Sequence, residues 1–251
     1  MLDVYSFMKT VLKYDSELTI IEVGAADGND SLKLLDIFKN SKLYCLEPDP
    51  RGYELHKKYI NNKNCKLYNL AISDIDGEVE LKLSNKDPKD PKLNHKAQKK
   101  WYDGNITKYE VYEEASKIFS DKFDIKHTND SRYGWLYSST ISEVNSNINL
   151  WSHKIHVKTL KLDTFCFQNN ITKIDFLWTD VEGAEKKLID GAKNILKFTK
   201  YIMLEFGCLD YYKSSLNYHQ TKDLMKKYNF TECFISQDNS NIIFKNNLLT
   251  L

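Results

Sequence analysis

The sequence predicts an α/β protein built on a mostly parallel β-sheet. Short β-branched, apolar runs alternate with amphipathic segments along much of the 251-residue chain, which is the pattern of repeated βαβ units. The first apolar run, residues 18–23, ends in a glycine turn, and a later one, residues 174–179, ends in acidic residues. Ligand sites of such sheets lie at the carboxyl ends of the strands, so both features predict a site there.

Length and composition predict one large domain. Hydrophobic residues make up 41% of the chain and charged residues 28%, proportions typical of a globular protein with a sizeable core. The formal net charge is only +1, so no overall field attracts nucleic acid or an anionic membrane. We therefore expect a single domain over residues 1–251, without a nucleic-acid partner.

The cysteine pattern and the first residues predict a cytoplasmic protein. Five cysteines are scattered without a Cys-x-x-Cys pair, which indicates a reducing compartment and no structural zinc. Residues 1–13 lack the long apolar core of a signal peptide, and no run reaches membrane-spanning length. The expected location is the cytoplasm, with no membrane span.

The glycine turn follows the first strand, and a lead-in helix over residues 2–14 is expected before it. Glu22, Gly24 and Gly28 have the spacing Glu-x-Gly-x-x-x-Gly, and Asn29 offers an N-cap for a helix. Glycine turns bring the backbone close to a ligand, although many are ordinary tight turns. The spacing differs from the Gly-x-Gly-x-x-Gly of a dinucleotide site.

An acidic residue stands at the end of the second predicted strand, residues 43–46. Glu47 follows Gly24 by 23 residues, and Pro48 blocks further strand pairing after it. In nucleotide-binding α/β folds a carboxylate at this place accepts the ribose hydroxyls. We therefore predict that Glu47 contacts a ribose, the alternative being a solvated loop glutamate.

The remaining elements keep the α/β alternation, apart from one insert. The expected strands cover residues 66–72, 78–83, 156–160, 162–165, 174–179, 201–205, 230–235 and 241–245. The expected helices cover residues 32–38, 53–60, 107–120, 188–196 and 221–228. The strand at 78–83 alternates strictly, so it should be antiparallel and half-exposed. The last two strands predict a closing antiparallel hairpin.

An insert rich in aromatic residues, 85–149, breaks this alternation. It includes Trp101, Trp135 and the predicted amphipathic helix at 107–120. We expect most of its rings to form the small core of a helical flap, and an exposed subset to line a cleft. Aromatic faces suit the apolar side of a sugar ring, so the insert is predicted to act as a lid over a ligand bound in the cleft.

Three acidic residues follow the central strand, 174–179. Asp180 leaves the strand where the ligand crevice should open, which makes it the first candidate for a general base. Glu182 and Glu185 follow within about one helical turn. The three carboxylates suit a hard divalent cation, but they show no fixed ligand pattern. For Glu185, stabilisation of a helix N-terminus is an equal explanation.

Five motifs occur in order along the chain. They read Ile-Glu-Val-Gly-Ala-Ala-Asp-Gly (21–28), Leu-Glu-Pro-Asp-Pro (46–50), Asn-Leu-Ala-Ile-Ser-Asp (69–74), Leu-Lys-Leu-Asp-Thr (160–164) and Asp-Val-Glu-Gly-Ala-Glu (180–185). Together they resemble the FkbM family of S-adenosylmethionine-dependent methyltransferases, which act largely on hydroxyls of sugars and polyketides. The resemblance covers most of residues 19–206 and leaves out the insert. Trp178 and Thr179 depart from it, because the family usually places Lys-Ile or a similar pair there.

The resemblance implies a Rossmann-like methyltransferase fold with a seven-stranded sheet and a C-terminal antiparallel hairpin. The residues expected around S-adenosylmethionine are Glu22, Gly24, Ala25, Gly28, Glu47, Pro48, Asp49, Ile72, Ser73 and Asp180. The expected catalytic residues are Asp180 and Glu182. The residues assigned to the acceptor are Ser138, Ser139, Trp135 and Glu185, of which the two serines resemble a Ser-Ser element of the family.

We therefore expect an O-methyltransferase that acts on a hydroxyl of a sugar, such as a nucleotide sugar or a surface-glycan precursor. The acceptor is then a small molecule or a glycan, and a divalent metal stays an open question. Two other classes stay open as well: a nicotinamide-dependent oxidoreductase or epimerase of nucleotide sugars, and a non-catalytic nucleotide-binding module. The oxidoreductase should show Gly-x-Gly-x-x-Gly, and the binding module needs no carboxylates at its cleft.

Overall fold

Helices and strands alternate through the described part of the chain. The computed structural model describes residues 3–13, 15–84, 100–101, 106–123, 137–145 and 151–249. The helices are α1 (Val4–Val11), α2 (Asn29–Ile37), α3 (Pro50–Tyr59), α4 (Lys108–Phe123), α5 (Leu162–Gln168), α6 (Glu185–Asp190), a 3₁₀ helix (Ile195–Phe198) and α7 (Tyr218–Lys226). The strands are β1 (Thr19–Val23), β2 (Lys42–Leu46), β3 (Cys65–Tyr68), β4 (Ala71–Ile72), β5 (Gly77–Ser84), β6 (Lys100–Trp101), β7 (Ile106–Thr107), β8 (Trp151–Leu160), β9 (Ile174–Thr179), β10 (Thr199–Glu205), β11 (Phe230–Ile235) and β12 (Asn241–Asn246). No helix within these described ranges has the length and apolar character needed to cross a membrane.

Seven strands form the main sheet, in the order β3-β2-β1-β9-β10-β12-β11. The first five of these strands pair in parallel, whereas β12 is antiparallel to both β10 and β11. The predicted mostly parallel seven-stranded sheet with a closing antiparallel hairpin is therefore confirmed. β1 and β9 are central neighbours, with Val23 opposite Thr179, so the glycine turn and Asp180 emerge side by side.

Both faces of the main sheet are covered by apolar side chains. Along β1, Ile20 and Ile21 are fully buried and belong to two different core clusters. Consecutive apolar residues of this kind are typical of a parallel strand that is buried on both faces. In one of these clusters, Trp178 of β9 stacks on Tyr5 of α1 with 5.2 Å between the ring centroids. The departure from the FkbM pattern at Trp178 is thus accommodated by packing against the lead-in helix.

A second, three-stranded sheet has the order β4-β8-β5. It corrects the prediction of one strand over residues 66–72, because this segment is divided into β3 and β4. Asn69 lies between them, and its side-chain amide donates hydrogen bonds to the carbonyl oxygens of Glu47 and Pro48 at 2.8 and 3.2 Å. These bonds hold the chain at the end of β2, from where it leaves the main sheet to pair with β8. β5 is antiparallel to β8, as predicted for an alternating strand.

The prediction of a strand at 162–165 is wrong, because these residues begin helix α5. Leu162, Phe165 and Cys166 are buried at helical spacing and pack in a core cluster of the main sheet. A short apolar run is compatible with either structure when the sequence alone is read. Likewise, the helix predicted over 188–196 is replaced by two shorter elements, α6 and the 3₁₀ helix.

The described parts of the insert pack against the rest of the fold. Val111 and Ala115 of α4 form a core cluster with Leu55 of α3. For α4, the expectation of a flap with its own small core is wrong, because this helix shares its core with α3. Most of the aromatic side chains of the insert lie outside the described residues, so the expectation for them stays a prediction. The side chains of Trp101 and Trp135 lie outside the described residues, so their predicted role stays a prediction.

Candidate functional site

A cleft opens at the carboxyl ends of β1, β2 and β9, and it consists of two adjoining hollows. The first hollow is lined by Val23, Gly24, Ala26, Glu47, Pro48, Ala71, Ile72, Leu81, Tyr137, Ser139, Ile141, Asp180, Val181, Glu182 and Ala184. The second is lined by Glu22, Gly24, Ala25, Ala26, Asp27, Asn29, Asp30, Lys33, Tyr137 and Asp180. The glycine turn and the acidic end of β9, which were both predicted as site features, thus line one cleft.

Gly24 makes the close contact between the ends of β1 and β9. Its φ angle is +86°, and a Cβ atom there would lie 1.7 Å from the carbonyl oxygen of Asp180. Its backbone N–H donates to the carbonyl oxygen of Leu46 at 2.9 Å, and the N–H of Asp180 donates to that of Val23 at 2.9 Å. Only glycine combines this left-handed conformation with so close a contact. The strand junction itself therefore requires the glycine.

Glu47 connects the end of β2 to the glycine turn. Its two carboxylate oxygens accept hydrogen bonds from the backbone N–H groups of Ala26 and Asp49, each at 2.7 Å. Burial and the negative charge of Asp49 raise the pKa of Glu47 to about 8, against the lowering effect of these two hydrogen bonds. A carboxylate oxygen accepts more than one hydrogen bond, so Glu47 has capacity left for a ligand hydroxyl. It has the position and the chemistry expected of a ribose contact.

Asp49 lies beside the cleft with its carboxylate engaged by Arg51. Arg51 is fully buried and donates to this carboxylate from Nη2 at 2.6 Å and from Nε at 3.0 Å. The Ser139 hydroxyl donates to the same carboxylate at 2.7 Å, and Arg51 Nη1 donates to the carbonyl oxygen of Ser84 at 2.9 Å. Asp49 therefore holds the end of β5 and the segment of Ser139 against the end of β2. Ser139 in turn lines the first hollow.

Glu22 lies beneath the glycine turn, and Gly28 is the last residue of the turn. Glu22 is 1% exposed and accepts hydrogen bonds from the Ser31 hydroxyl and, at 3.3 Å, from the Cys45 thiol. Burial raises the pKa of Glu22 well above its usual range. Gly28 precedes α2, and a Cβ atom there would lie 2.7 Å from the ring of His56. Both residues thus contact the side chains beneath the turn, and Glu22 also lines the second hollow.

Of the described candidates, Ser73, Ser138 and Glu185 are buried beside the cleft and not on its lining. The carbonyl oxygen of Ser138 accepts a hydrogen bond from the indole N–H of Trp151 at 2.6 Å. The Glu185 carboxylate accepts one from the backbone N–H of Gly183 at 3.2 Å. Glu185 therefore supports the start of α6, which was the structural explanation considered from the sequence.

Asp180, Glu182 and Glu205 form an acidic cluster at the cleft. One carboxylate oxygen from each lies within 4.8 Å of the other two. The Asp180 side chain is exposed to the cleft, but the surrounding protein and the charges of Glu205 and Asp30 raise its pKa well above the ordinary value. Burial and then the charge of Asp180 raise the pKa of Glu182. Such a cluster favours a bound proton or a bound cation.

Glu205 was not among the predicted site residues. It supplies the third carboxylate of the cluster, which the sequence had led us to expect from Glu185. It ends β10, which pairs in parallel with β9, so its carboxylate emerges beside that of Asp180. The thiol of Cys208 donates a hydrogen bond to it at 3.3 Å. The available signal was an acidic residue at the end of the next strand. Local sequence patterns did not reveal that the two strands are neighbours.

Glu182 is held in a strained backbone conformation. Its φ angle is +53°, and that of Gly183 is +85°. The Thr140 hydroxyl donates to the carbonyl oxygen of Glu182 at 2.7 Å, and the Tyr212 hydroxyl donates to its carboxylate. A left-handed conformation costs a non-glycine residue about 1–3 kcal/mol, so surrounding contacts have to hold it in place. Strain of this kind beside a cleft is typical of functional sites.

Comparison with proteins of known family gives two matches along the sequence. The model of the methyltransferase FkbM domain matches residues 22–231. The chain is also 25% identical, over 231 residues, to 2-O-methyltransferase NoeI of Sinorhizobium fredii (strain NBRC 101917 / NGR234). That alignment covers 92% of this chain and 80% of NoeI.

Solved structures align over most of the chain at low identity. A SAM-dependent methyltransferase from Aquifex aeolicus aligns with 97% of this chain and 88% of its own, with 7% identity and a TM-score of 0.42. A pericyclic reaction enzyme aligns with 96% of this chain and 46% of its own, with 7% identity and a TM-score of 0.44. Similarity at this level says nothing about the reaction.

The family match extends over more than half of the chain and contains the glycine turn, Glu47 and the acidic residues after β9. The resemblance stated from the five motifs is confirmed by it. The chain belongs to the FkbM family of S-adenosylmethionine-dependent methyltransferases.

Proposed function

We propose that this methyltransferase acts on a hydroxyl of a sugar, in a nucleotide sugar or a surface-glycan precursor. The observation that carries the proposal is Asp180, whose carboxylate is exposed to the cleft beside the glycine turn and has a raised pKa. A hydroxyl is a poor nucleophile until a base accepts its proton. The name of the relative NoeI, a 2-O-methyltransferase, supports a hydroxyl as the acceptor.

The residues of the first hollow fit the cofactor. When bound, S-adenosylmethionine supplies an activated methyl group on its sulfonium. Glu47 accepts the ribose hydroxyls in this proposal, and Ile72 and Leu81 offer apolar side chains to the adenine ring. Gly24 has no side chain, so the methionine portion can approach the backbone of the turn.

Asp180 is the proposed general base. Methyl transfer needs the acceptor oxygen aligned with the methyl group, and Asp180 lines both hollows, between the proposed cofactor and acceptor sides. A raised pKa makes a carboxylate a stronger base toward a hydroxyl proton. Alternatively, Asp180 together with Glu182 and Glu205 holds a divalent cation that activates the hydroxyl. The two roles predict opposite responses to a chelator.

The acceptor is proposed to bind against the insert. Tyr137 of the insert lines the second hollow, which we assign to the acceptor, and it also lines the first, beside Ser139 and Ile141. The Tyr137 hydroxyl donates to Asp27 at 2.7 Å, which ties this part of the insert to the glycine turn. An aromatic face with hydroxyl groups nearby suits a sugar ring. The whole insert, residues 85–149, forms a lid over the acceptor in this proposal.

The test is methyl transfer from tritiated S-adenosylmethionine to a panel of nucleotide sugars and surface-glycan precursors. We expect label in a sugar methyl ether, located by mass spectrometry, and labelling that is about 10²–10⁴-fold slower with Asp180→Asn. Label in amines or proteins but in none of the sugars would overturn the proposal. Indifference to a chelator assigns Asp180 as the base, whereas loss of activity that Mg²⁺ restores assigns the acidic cluster as a metal site.

A further inference from the structure

A cluster of sulfur and nitrogen ligands lies beneath the glycine turn. It consists of Cys45 of β2, His56 of α3 and Cys65 of β3. One ligand atom from each lies within 4.8 Å of the other two, and the sulfur atoms of the two cysteines are 3.6 Å apart. The pairing of β2 with β3 and the packing of α3 on β3 bring them together. Since no Cys-x-x-Cys spacing marks this cluster, the sequence predicted no zinc site.

His56 has a buried ring nitrogen without a partner. The residue is 1% exposed, and its Nε2 atom lies 2.9 Å from the Ser31 hydroxyl. Its Nδ1 atom has no hydrogen-bond partner in the described part of the chain. An unsatisfied buried polar atom costs about 1–3 kcal/mol. A metal ion bound to Nδ1 would remove this cost, and the Ser31 contact would then hold the ring in place, as a hydrogen bond to the second ring nitrogen does for metal-bound histidines.

The carboxyl group of Glu22 is buried at the same place. Its Oε2 atom lies 3.3 Å from the Cys45 sulfur. Glu22 is 1% exposed, and its hydrogen bonds come from the neutral hydroxyl of Ser31 and thiol of Cys45. Within the described residues it forms no ion pair. A buried carboxylate without a counter-charge is costly, and a cation beside it offsets that cost.

The distance between the two sulfur atoms fits a shared metal ion. Two sulfurs bound about 2.3 Å from one tetrahedral zinc ion lie about 3.8 Å apart, whereas bonded disulfide sulfurs are about 2.05 Å apart. The 3.6 Å between Cys45 and Cys65 is close to the first value. Two thiolates and an imidazole are also common ligands of Zn²⁺, which prefers four ligands in a tetrahedron.

We propose that Cys45, His56 and Cys65 bind a Zn²⁺ ion beside the buried carboxyl group of Glu22. Binding replaces the thiol protons, which are released to solvent. The ion joins β2, β3 and α3 at one point. It also supports the cofactor side of the cleft through Gly28, which packs directly on the His56 ring. This site is separate from the acidic cluster and takes no part in methyl transfer.

The test uses the full-length protein, purified under reducing conditions, stripped of metal with a chelator and titrated with Zn²⁺ and with Co²⁺. We expect one tightly bound ion per chain, a higher melting temperature with Zn²⁺, and a thiolate-to-metal absorption band with Co²⁺. Cys65→Ser and His56→Gln should each weaken the metal affinity by more than about tenfold. The matched control is Cys233→Ser, which changes an exposed cysteine and should bind as the wild type does. The thiolate band separates this site from the acidic cluster, whose ligands are oxygens.

A folded wild-type protein that shows no thiolate band with Co²⁺ overturns the proposal, as does an unchanged affinity in folded Cys65→Ser or His56→Gln. Circular dichroism establishes whether each variant is folded. If neither variant folds, alkylation of the wild-type thiols decides instead. Protection of Cys45 and Cys65 by Zn²⁺ supports the site. A disulfide between them that forms in air despite Zn²⁺ identifies a redox pair and overturns it.

Discussion

At the scale of single residues, the site is made of carboxylates that the protein shields from water. Burial raises the pKa of Glu22 and Glu182 well above the usual range. It raises the pKa of Glu185 to about 7 and that of Glu47 to about 8. The pKa of Asp180 is also raised well above its ordinary value, although its side chain is exposed to the cleft. Near neutral pH these groups bind protons more readily than ordinary carboxylates, which suits Asp180 to accept a proton from a hydroxyl.

Replacing Asp180 tests this role directly. Asp180→Asn keeps the shape and removes the charge, so turnover should fall by about 10²–10⁴-fold, the range of general base catalysis. The affinity for S-adenosylhomocysteine, measured by calorimetry, should stay as in the wild type. The control is Asp190→Asn, the same substitution at the far end of α6, where the carboxylate pairs with Lys186. Near-normal turnover in folded Asp180→Asn would place the chemistry on another residue.

Glu47 should make cofactor affinity depend on pH. Its ionised form is the better acceptor for ribose hydroxyls, and its pKa in the free protein is raised to about 8. Affinity for S-adenosylhomocysteine should therefore weaken as pH falls below about 8, by up to about tenfold per pH unit if only the ionised form binds.

Calorimetry over this pH range with two variants checks the assignment. Glu47→Gln should weaken binding by about 1–3 kcal/mol and flatten the pH dependence. Glu54→Gln changes an exposed glutamate on α3 and should alter neither. A pH dependence that persists in Glu47→Gln would assign the titration to a different group.

At the scale of elements, local patterns were enough to predict strands that are buried on both faces. β1 and β9 consist mostly of apolar residues, so both could be predicted as buried strands from the sequence. The run at 162–165 is too short to show a period, and its helical structure depends on packing. The division of residues 66–72 depends on the contact of Asn69 with the end of β2, which no local pattern contains.

The candidate site shows the same division between local and tertiary information. Glu47 and Asp180 could be predicted because each directly follows a predicted strand. Glu205 also follows a strand, but its proximity to Asp180 depends on the order of strands in the sheet. His56 and Cys65 contact one another only because α3 packs on β3, so their cluster could not be predicted from spacing.

The junction of β1 and β9 predicts different costs for two glycine substitutions. Gly24 and Gly207 have φ angles of +86° and +91°, so alanine should cost each about 1–2 kcal/mol for its backbone conformation. A Cβ atom on Gly207 meets nothing within 4 Å, whereas one on Gly24 would lie 1.7 Å from the Asp180 carbonyl oxygen. Gly24→Ala should therefore lower the melting temperature more than Gly207→Ala does and should abolish cofactor binding. Equal losses of stability would mean that the strand junction yields to the added methyl group.

Substitutions in the part of the insert that lines the cleft should weaken binding of the acceptor more than binding of the cofactor. Tyr137→Phe removes the hydroxyl that donates to Asp27, a loss of about 0.5–1.5 kcal/mol, which corresponds to a rise in the Michaelis constant of about 2–10-fold. The affinity for the cofactor should change less. Tyr59→Phe is the matched control, because it removes a hydroxyl that donates to Glu114, away from the cleft lining.

Replacing Trp135 by alanine should likewise raise the Michaelis constant for the acceptor. Equal losses for acceptor and cofactor would show that these rings are part of the core.

At the scale of the whole molecule, three parts of the fold meet at one cleft. The main sheet contributes the glycine turn, Glu47 and the acidic cluster, the second sheet contributes Leu81, and the insert contributes Tyr137 and Ser139. The buried pair of Arg51 with Asp49 joins these parts, since it also contacts Ser84 and Ser139. Removing one partner of such a pair typically costs about 3–5 kcal/mol. Stability and the shape of the cleft therefore depend on the same buried charges.

This concentration of buried carboxylates should set the pH dependence of stability. The pKa of Glu47 is raised from 4.5 to about 8, so the folded protein holds this proton more tightly than the unfolded chain does. By linkage, the free energy of unfolding then falls as pH rises from about 5 to about 8, by up to about 1.4 kcal/mol per pH unit for each such group. The lowered pKa values of His153 and Cys65, the latter about 6, act in the opposite direction. They are fewer than the raised carboxylates, so the net slope should be negative.

Urea unfolding of the metal-free, ligand-free protein across this pH range measures the slope. The midpoint should fall as pH rises, because each shielded carboxylate has to ionise where water is excluded. Glu47→Gln removes one titrating group and should make the slope shallower, whereas Glu54→Gln, on the exposed side of α3, should leave it unchanged. Stability that rises over the whole range would mean that these carboxylates are already ionised in the folded protein. Their role as proton acceptors would then rest on geometry alone.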